Sequence, residues 1–183
     1  MLEVIVHGRG GQGAVTFSQL VAIASFYEGK YSQAFPVFGI ERRGAPAAAF
    51  IRIDDKPILL RQQIYEADII IALDPTLLSI LDIKSTLKKK GTFIINSHKS
   101  PDELRKEYNL QGIDICTFDA TSLAMQVFKK NIVNTVMFAV FAATSKIIHL
   151  NSAFQAIEER FSGNKESLIL NKKIVGEVYS RIK

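Results

Sequence analysis

The residues most able to do chemistry in this chain are six near its start. Gly8, Arg9, Gly10, Gly11, Gln12 and Gly13 satisfy the spacing G-x-G-x-x-G. They follow directly on Leu2–His7, a short apolar and β-branched run that reads as a buried strand. They precede a segment from Ala14 to Glu28 in which Phe17, Leu20, Val21, Ala24 and Tyr27 recur at helical spacing before Gly29. Glycines between a strand and a helix permit a tight turn and close approach of a ligand to the backbone. The helix N-terminus around Thr16 then offers unpaired N–H groups to an anion. The pattern alone is weak. Its alternative is a turn whose glycines only let helix and strand pack closely, although such a turn has no need of Arg9 and Gln12. A dinucleotide site would add an acidic residue at the end of the second strand. That stretch reads Gln33-Ala34-Phe35-Pro36, and Glu28, at the right distance along the chain, falls in the first helix.

The second constellation is Phe35-Pro36-Val37-Phe38-Gly39-Ile40-Glu41-Arg42-Arg43-Gly44-Ala45-Pro46. Glu41, Arg42 and Arg43 are held between Gly39 and Gly44, with aromatic residues and prolines outside them. Guanidinium groups on a restrained loop suit phosphate or carboxylate recognition, or an ion pair across a subunit contact. The alternative is a solvated turn, which Phe35 and Phe38 argue against. Asp74 and Asp119 both follow strands, where open α/β sheets place ligands, but Asp is also a common helix cap and the cap is the better reading. His7, His98 and His149 lack ligand-like spacing, and His7, beside the glycine loop, reads as structural.

These loops need a scaffold, and the order of elements supplies one. Tyr31–Phe35 and Ala47–Ile53 read as strands, and Asp54-Asp55-Lys56 as a turn into Pro57–Leu60, giving an antiparallel hairpin. Ile69–Leu73 reads as a strand buried on both faces, Thr76–Leu87 as a helix, and Lys88-Lys89-Lys90 before Gly91 as a helix C-terminus. Thr92–Asn96 and Ile113–Phe118 read as strands, with helices opening at Pro101 and near Thr121. From Val133 onward the pattern is helical, broken near Ser162-Gly163-Asn164. The expected fold is three-layer α/β/α, with a mixed, mostly parallel sheet and a helical C-terminal region, in a single domain over 1–183.

Composition bounds what such a fold does. Of 183 residues 48% are apolar, which excludes a largely disordered chain. The net charge of +5 comes without a dense basic stripe or a known module, which argues against nucleic-acid binding. Cys116 is the single cysteine, so a disulfide framework and a multi-thiolate cluster within this chain are excluded. It sits in an apolar strand and reads as a small core residue. No apolar run reaches the roughly 18 residues of a membrane span, and the N-terminus has no signal-peptide pattern; a cytoplasmic protein is expected.

Gly8–Thr16 (Gly-Arg-Gly-Gly-Gln-Gly-Ala-Val-Thr) together with Phe35–Pro46 resembles the gamma subunit of 2-oxoacid:ferredoxin oxidoreductases, in its pyruvate/2-ketoisovalerate branch. The likeness continues through Ala67-Asp68, Leu73-Asp74-Pro75, Gly91–Asn96, Phe118–Thr121 and Asn134–Met137, in the same order along the chain. Ile40 stands where many relatives carry proline. The resemblance implies that alpha and beta subunits hold thiamine diphosphate, and that iron–sulfur clusters lie in the beta and delta subunits. It implies oxidative decarboxylation of a 2-oxoacid to an acyl-CoA, with electrons passed to ferredoxin. The Glu41–Pro46 form points to pyruvate or branched-chain 2-oxoacids. This chain would then hold no cofactor and no catalytic residue of its own. Gly8–Gly13, Thr16 and Glu41–Gly44 would form an anion-binding or interface element, with Arg42 and Arg43 at a phosphate of coenzyme A. An isolated copy, with its contact surfaces bared, is open to pairing with itself. Two other classes fit the glycine loop alone: a stand-alone NAD(P)-dependent oxidoreductase and a nucleotide-sensing module.

Overall fold

The computed structural model describes residues 1–37 and 44–182. Its frame is a six-stranded sheet built from β1 (Leu2–Arg9), β2 (Tyr31–Val37), β3 (Pro46–Asp54), β4 (Ala67–Ala72), β5 (Leu87–Asn96) and β6 (Asp114–Phe118), in the order β2-β3-β1-β4-β5-β6. β3 runs antiparallel to both β1 and β2, whereas β1, β4, β5 and β6 are mutually parallel. Seven α-helices accompany them among the described residues: α1 (Ala14–Tyr27), α2 (Ile83–Thr86), α3 (Pro101–Glu107), α4 (Ala120–Phe128), α5 (Asn134–Ser145), α6 (Leu150–Phe161) and α7 (Lys165–Ile182). The three-layer α/β expectation is met.

The period of two along each strand divides the core. Val4 and Val6, Ile51 and Ile53, and Ile69 and Ile71 face one side, under α1 and α4–α7. Ile5, Phe50, Ile70, Phe93 and Ile95 face the other, under α3, α2 and Ile64. α5 is buried from Asn134 to Ala142, all but its last turn, which explains a sequence apolar all round and without a polar stripe.

Four local expectations are corrected. Pro57–Leu60 is not a strand. β3 is paired on one edge with β1 and on the other with β2, so no edge is left for it, and the antiparallel hairpin is β2–β3. Thr76–Leu87 is not one helix but a 3-10 turn at Pro75–Ser79 followed by the single turn α2, which Asp82 caps through the Ser85 amide. Lys88–Lys90 do not end a helix; they lie in β5, because Leu87 already pairs with Ala67 of β4. The helical tail has an additional break, where Lys146 turns to a left-handed φ of 58° and the chain re-enters a helix at Leu150.

From β1 the chain crosses through α1 on one face of the sheet, and from β4 it crosses through the 3-10 turn and α2 on the other. A crevice therefore opens beyond the carboxyl ends of β1 and β4, the place where sheets of this kind take ligands.

Candidate functional site

The glycine loop fills that crevice. Its backbone continues the β1–β3 ladder past Arg9 and Pro46: the Gly10 amide donates to the Ala45 carbonyl at 2.8 Å, and the Gly44 amide donates to the Gly10 carbonyl at 3.1 Å. The hairpin connection that carries Glu41, Arg42 and Arg43 thus starts at Val37 and returns at Gly44, directly on the glycine loop. Phe38–Arg43 themselves lie outside the described residues. Gly13 opens α1 at a φ of 85° with no side-chain cap, and a Cβ there would stand 2.5 Å from Asn134 Nδ2. Only glycine meets both conditions. The first amides of α1 consequently have no side-chain cap, the arrangement that suits an anion at a helix N-terminus.

Arg9 and Gln12 hold the loop from beneath. Gln12 Oε1 accepts the Arg9 amide at 2.7 Å, and its Nε2 donates to Asp74 at 2.6 Å. Arg9 donates to Thr76 Oγ1 from Nη2 at 2.7 Å and to the Gly44 carbonyl from Nη1 at 3.1 Å, with Nε 3.3 Å from Asp74. Its guanidinium is engaged with the protein itself, so Arg9 positions the two loops. Burial works to raise the Asp74 pKa, but hydrogen bonds from Thr76 and Gln12 and the charge of Arg9 prevail and hold it below the usual carboxylate range. Asp74 also caps the 3-10 turn through the Thr76 amide, the role the sequence favoured.

Two clefts flank the loop. One, of about 350 Å³, is bounded by Gly10, Gly11, Val15, Pro36, Val37 and Ala48. The other, of about 210 Å³, is lined by Gln12, Asp74, Asn96, Thr121, Asn131 and Val133. The Asp74 carboxylate disfavours an anion in the second. The first is lined by Arg9, by the uncapped N-terminus of α1 at Gly13–Val15 and by Val37, where the arginine-bearing connection departs, and on that chemistry it suits an anion better. His7 adds no charge there, because burial lowers its pKa to about 4 and leaves the ring neutral at pH 7.

Of the residues singled out in the sequence, the structure gathers Gly8–Gly13, Thr16 in the first turn of α1, and Gly44. Sequence reasoning missed the work of Asn96 and Asn134. Asn96 Oδ1 accepts the Ala120 amide at 3.0 Å while its Nδ2 donates to the Leu73 carbonyl at 3.0 Å, tying α4 to the end of β4. An asparagine closing an apolar strand was the available signal. Asn134 packs on Gly13 from the N-terminus of α5, where the buried Thr135 hydroxyl has no partner among the described residues. Asp119 caps α4 through the Ser122 amide at 2.9 Å, as expected. Glu28 stands far from any ribose position: it accepts the His149 amide at 2.7 Å and so caps α6. In addition, β3 separates β2 from β1, so the second strand is not the parallel neighbour that a dinucleotide site requires. Burial raises the Cys116 pKa, and its Sγ lies 3.7 Å from Thr144 Oγ1, a core setting rather than a nucleophile's.

Residues 3–181 match the sequence profile of the family described as pyruvate ferredoxin/flavodoxin oxidoreductase. The pyruvate synthase subunit PorC of Methanocaldococcus jannaschii is 48% identical over 163 residues, covering 89% of this chain and 88% of its own. The pyruvate/ketoisovalerate oxidoreductases common subunit gamma of Thermococcus kodakarensis is 46% identical, with the same coverage. The crystal structure of pyruvate oxidoreductase subunit PORC from Thermotoga maritima superposes with a TM-score of 0.83 at 35% identity, covering 98% of this chain and 95% of that one. By profile, sequence and fold together, the chain belongs to the pyruvate ferredoxin/flavodoxin oxidoreductase family and is similar, over nearly its whole length, to that family's gamma subunits.

Proposed function

We propose that the chain works as one domain over 1–183, in the cytoplasm, as the gamma subunit of a thiamine diphosphate-dependent 2-oxoacid:ferredoxin oxidoreductase. The observation that carries this reading is the identity of 46% across 89% of the chain to a common gamma subunit of pyruvate and ketoisovalerate oxidoreductases. Partner subunits of alpha, beta and delta type hold the thiamine diphosphate and the iron–sulfur clusters in this reading. The complex decarboxylates the oxoacid, passes two electrons to ferredoxin and releases an acyl-CoA. This chain contributes a seat for a phosphate of coenzyme A. The α1 N-terminus supplies amides, Gly13 keeps the approach free of a side chain, and Arg42 and Arg43 add charge to a cleft whose described lining holds one cation, Arg9, already engaged by Asp74.

The test is the Arg42→Ala/Arg43→Ala variant in the assembled complex. Two charge-assisted contacts to a phosphate are together worth about 3 kcal/mol, so the KM for coenzyme A should rise roughly a hundredfold. The KM for the oxoacid should not move. An unchanged KM for coenzyme A would remove the phosphate seat from the account.

A further inference from the structure

At the opposite end of the sheet from the glycine loop, β5 departs from its ladder. Leu87 pairs with Ala67 and Thr92 with Ile69, so Lys88, Lys89, Lys90 and Gly91 all stand opposite the single residue Asp68. Bulges of this kind re-aim side chains and recur at functional surfaces. Here the packing enforces it. A Cβ at Gly91 would lie 2.9 Å from the Asp68 carbonyl oxygen and 2.7 Å from Leu87 Cδ1, and Lys90 takes a left-handed φ of 69°, uncommon for a side-chain-bearing residue.

The bulge divides its lysines. Lys88 turns inward, its Nζ 3.0 Å from both Glu3 and Asp68, and is neutralised there. Lys89 and Lys90 are exposed and, with Lys84 of α2, line a cleft of about 360 Å³ shared with Lys88, Gln111, Gly112 and Ile113. Among the described residues none of these three lysines makes an ion pair. The carboxylates nearby are committed elsewhere: Asp82 to the Ser85 amide and Asp114 to the Thr92 hydroxyl.

We propose that this cleft docks the acidic face of a protein that binds and leaves. No aromatic ring lines it to stack a nucleobase. Its large apolar lining residues, Leu87 and Ile113, are only partly exposed, whereas Leu59, Leu60 and Tyr65 elsewhere on the chain are exposed, as the apolar centre of a permanent contact would be. Three unpaired ammonium groups around a concave floor suit a fast, salt-sensitive encounter. Resting on the functional reading above, the partner is the acidic electron carrier, the one protein that must arrive and depart with each turnover.

The experiment uses the whole complex and compares ferredoxin with a small viologen dye as electron acceptor. Lys84→Glu/Lys89→Glu/Lys90→Glu should raise the KM for ferredoxin about tenfold at low ionic strength, with Lys84→Gln/Lys89→Gln/Lys90→Gln intermediate. Both differences should shrink as salt is added, and viologen rates should match the wild type. An unchanged ferredoxin KM beside intact viologen reduction overturns the docking site and leaves the functional reading standing. Variants that fall out of the complex also overturn it, because the cleft would then be a permanent contact. A wild-type chain that purifies without any oxidoreductase overturns both readings.

Discussion

At the scale of single residues the site depends most on Gly13. Its φ of 85° costs a residue with a side chain about 1–2 kcal/mol before any contact is counted, and the added methyl meets Asn134. Gly13→Ala should therefore destabilise the protein by roughly 2–4 kcal/mol, measured by denaturant unfolding. Adding Asn134→Ala should recover the steric part and leave the backbone part. Full recovery would mean that conformation is not the constraint. His7 makes a separate prediction in pH. Burial lowers its folded pKa from 6.5 to about 4. Below pH 6.5 the unfolded chain takes up a proton that the folded chain refuses, so stability falls between pH 6.5 and 4 and is unaffected by this group above that window. The shift corresponds to about 3 kcal/mol. Urea titrations across the window should show wild type losing about that much more than His7→Gln.

At the scale of elements, the legible parts were those whose signal is local. β1, α1 and β4 announce themselves by continuous or periodic apolar residues, and α3 by Pro101 with Asp102 and Glu103 in its first turn, to which the structure adds a capping box from Ser100. The illegible parts were set by pairing at a distance. Pro57–Leu60 has a strand's composition but no free edge to join, and the lysines of 88–90 resemble a helix end until the register of β4 against β5 is known. Glu28 belongs to the same class, because nothing near it in sequence predicts that it caps a helix starting at Leu150. Burial raises the pKa of Glu28, yet hydrogen bonds from Ser152 and His149 outweigh it and keep the carboxylate below its usual range. Glu28→Ala should cost about 1 kcal/mol of stability, or roughly 2–4 °C in Tm. The cap's contribution is present above the ordinary glutamate range and fades as pH falls through it.

At the scale of the whole molecule, the described residues set a glycine loop with its flanking clefts, an exposed apolar segment and a lysine bulge around one sheet. The tight turn of the glycine loop was legible because Gly11 and Gly13 take positive φ and Gly8 lies close against Leu73, whereas the residues packed around it were not. Gly44 meets the loop only because β3 pairs directly with β1, and Asn134 meets Gly13 only through the packing of α5 against α1. The cleft proposed as an anion seat, the exposed apolar segment around Leu59 and the lysine bulge lie on different parts of one small sheet protein, which leaves each free for the separate role proposed for it. The most direct test of that central claim is an anaerobic pull-down of this chain from its own cells. The eluate would be assayed for viologen reduction with pyruvate, 2-ketoisovalerate or 2-oxoglutarate in the presence of coenzyme A. The account predicts co-eluting iron–sulfur subunits and coenzyme A-dependent activity with pyruvate or the branched-chain acid. A chain that elutes alone, reduces nothing with any 2-oxoacid and binds NAD(P) would contradict it.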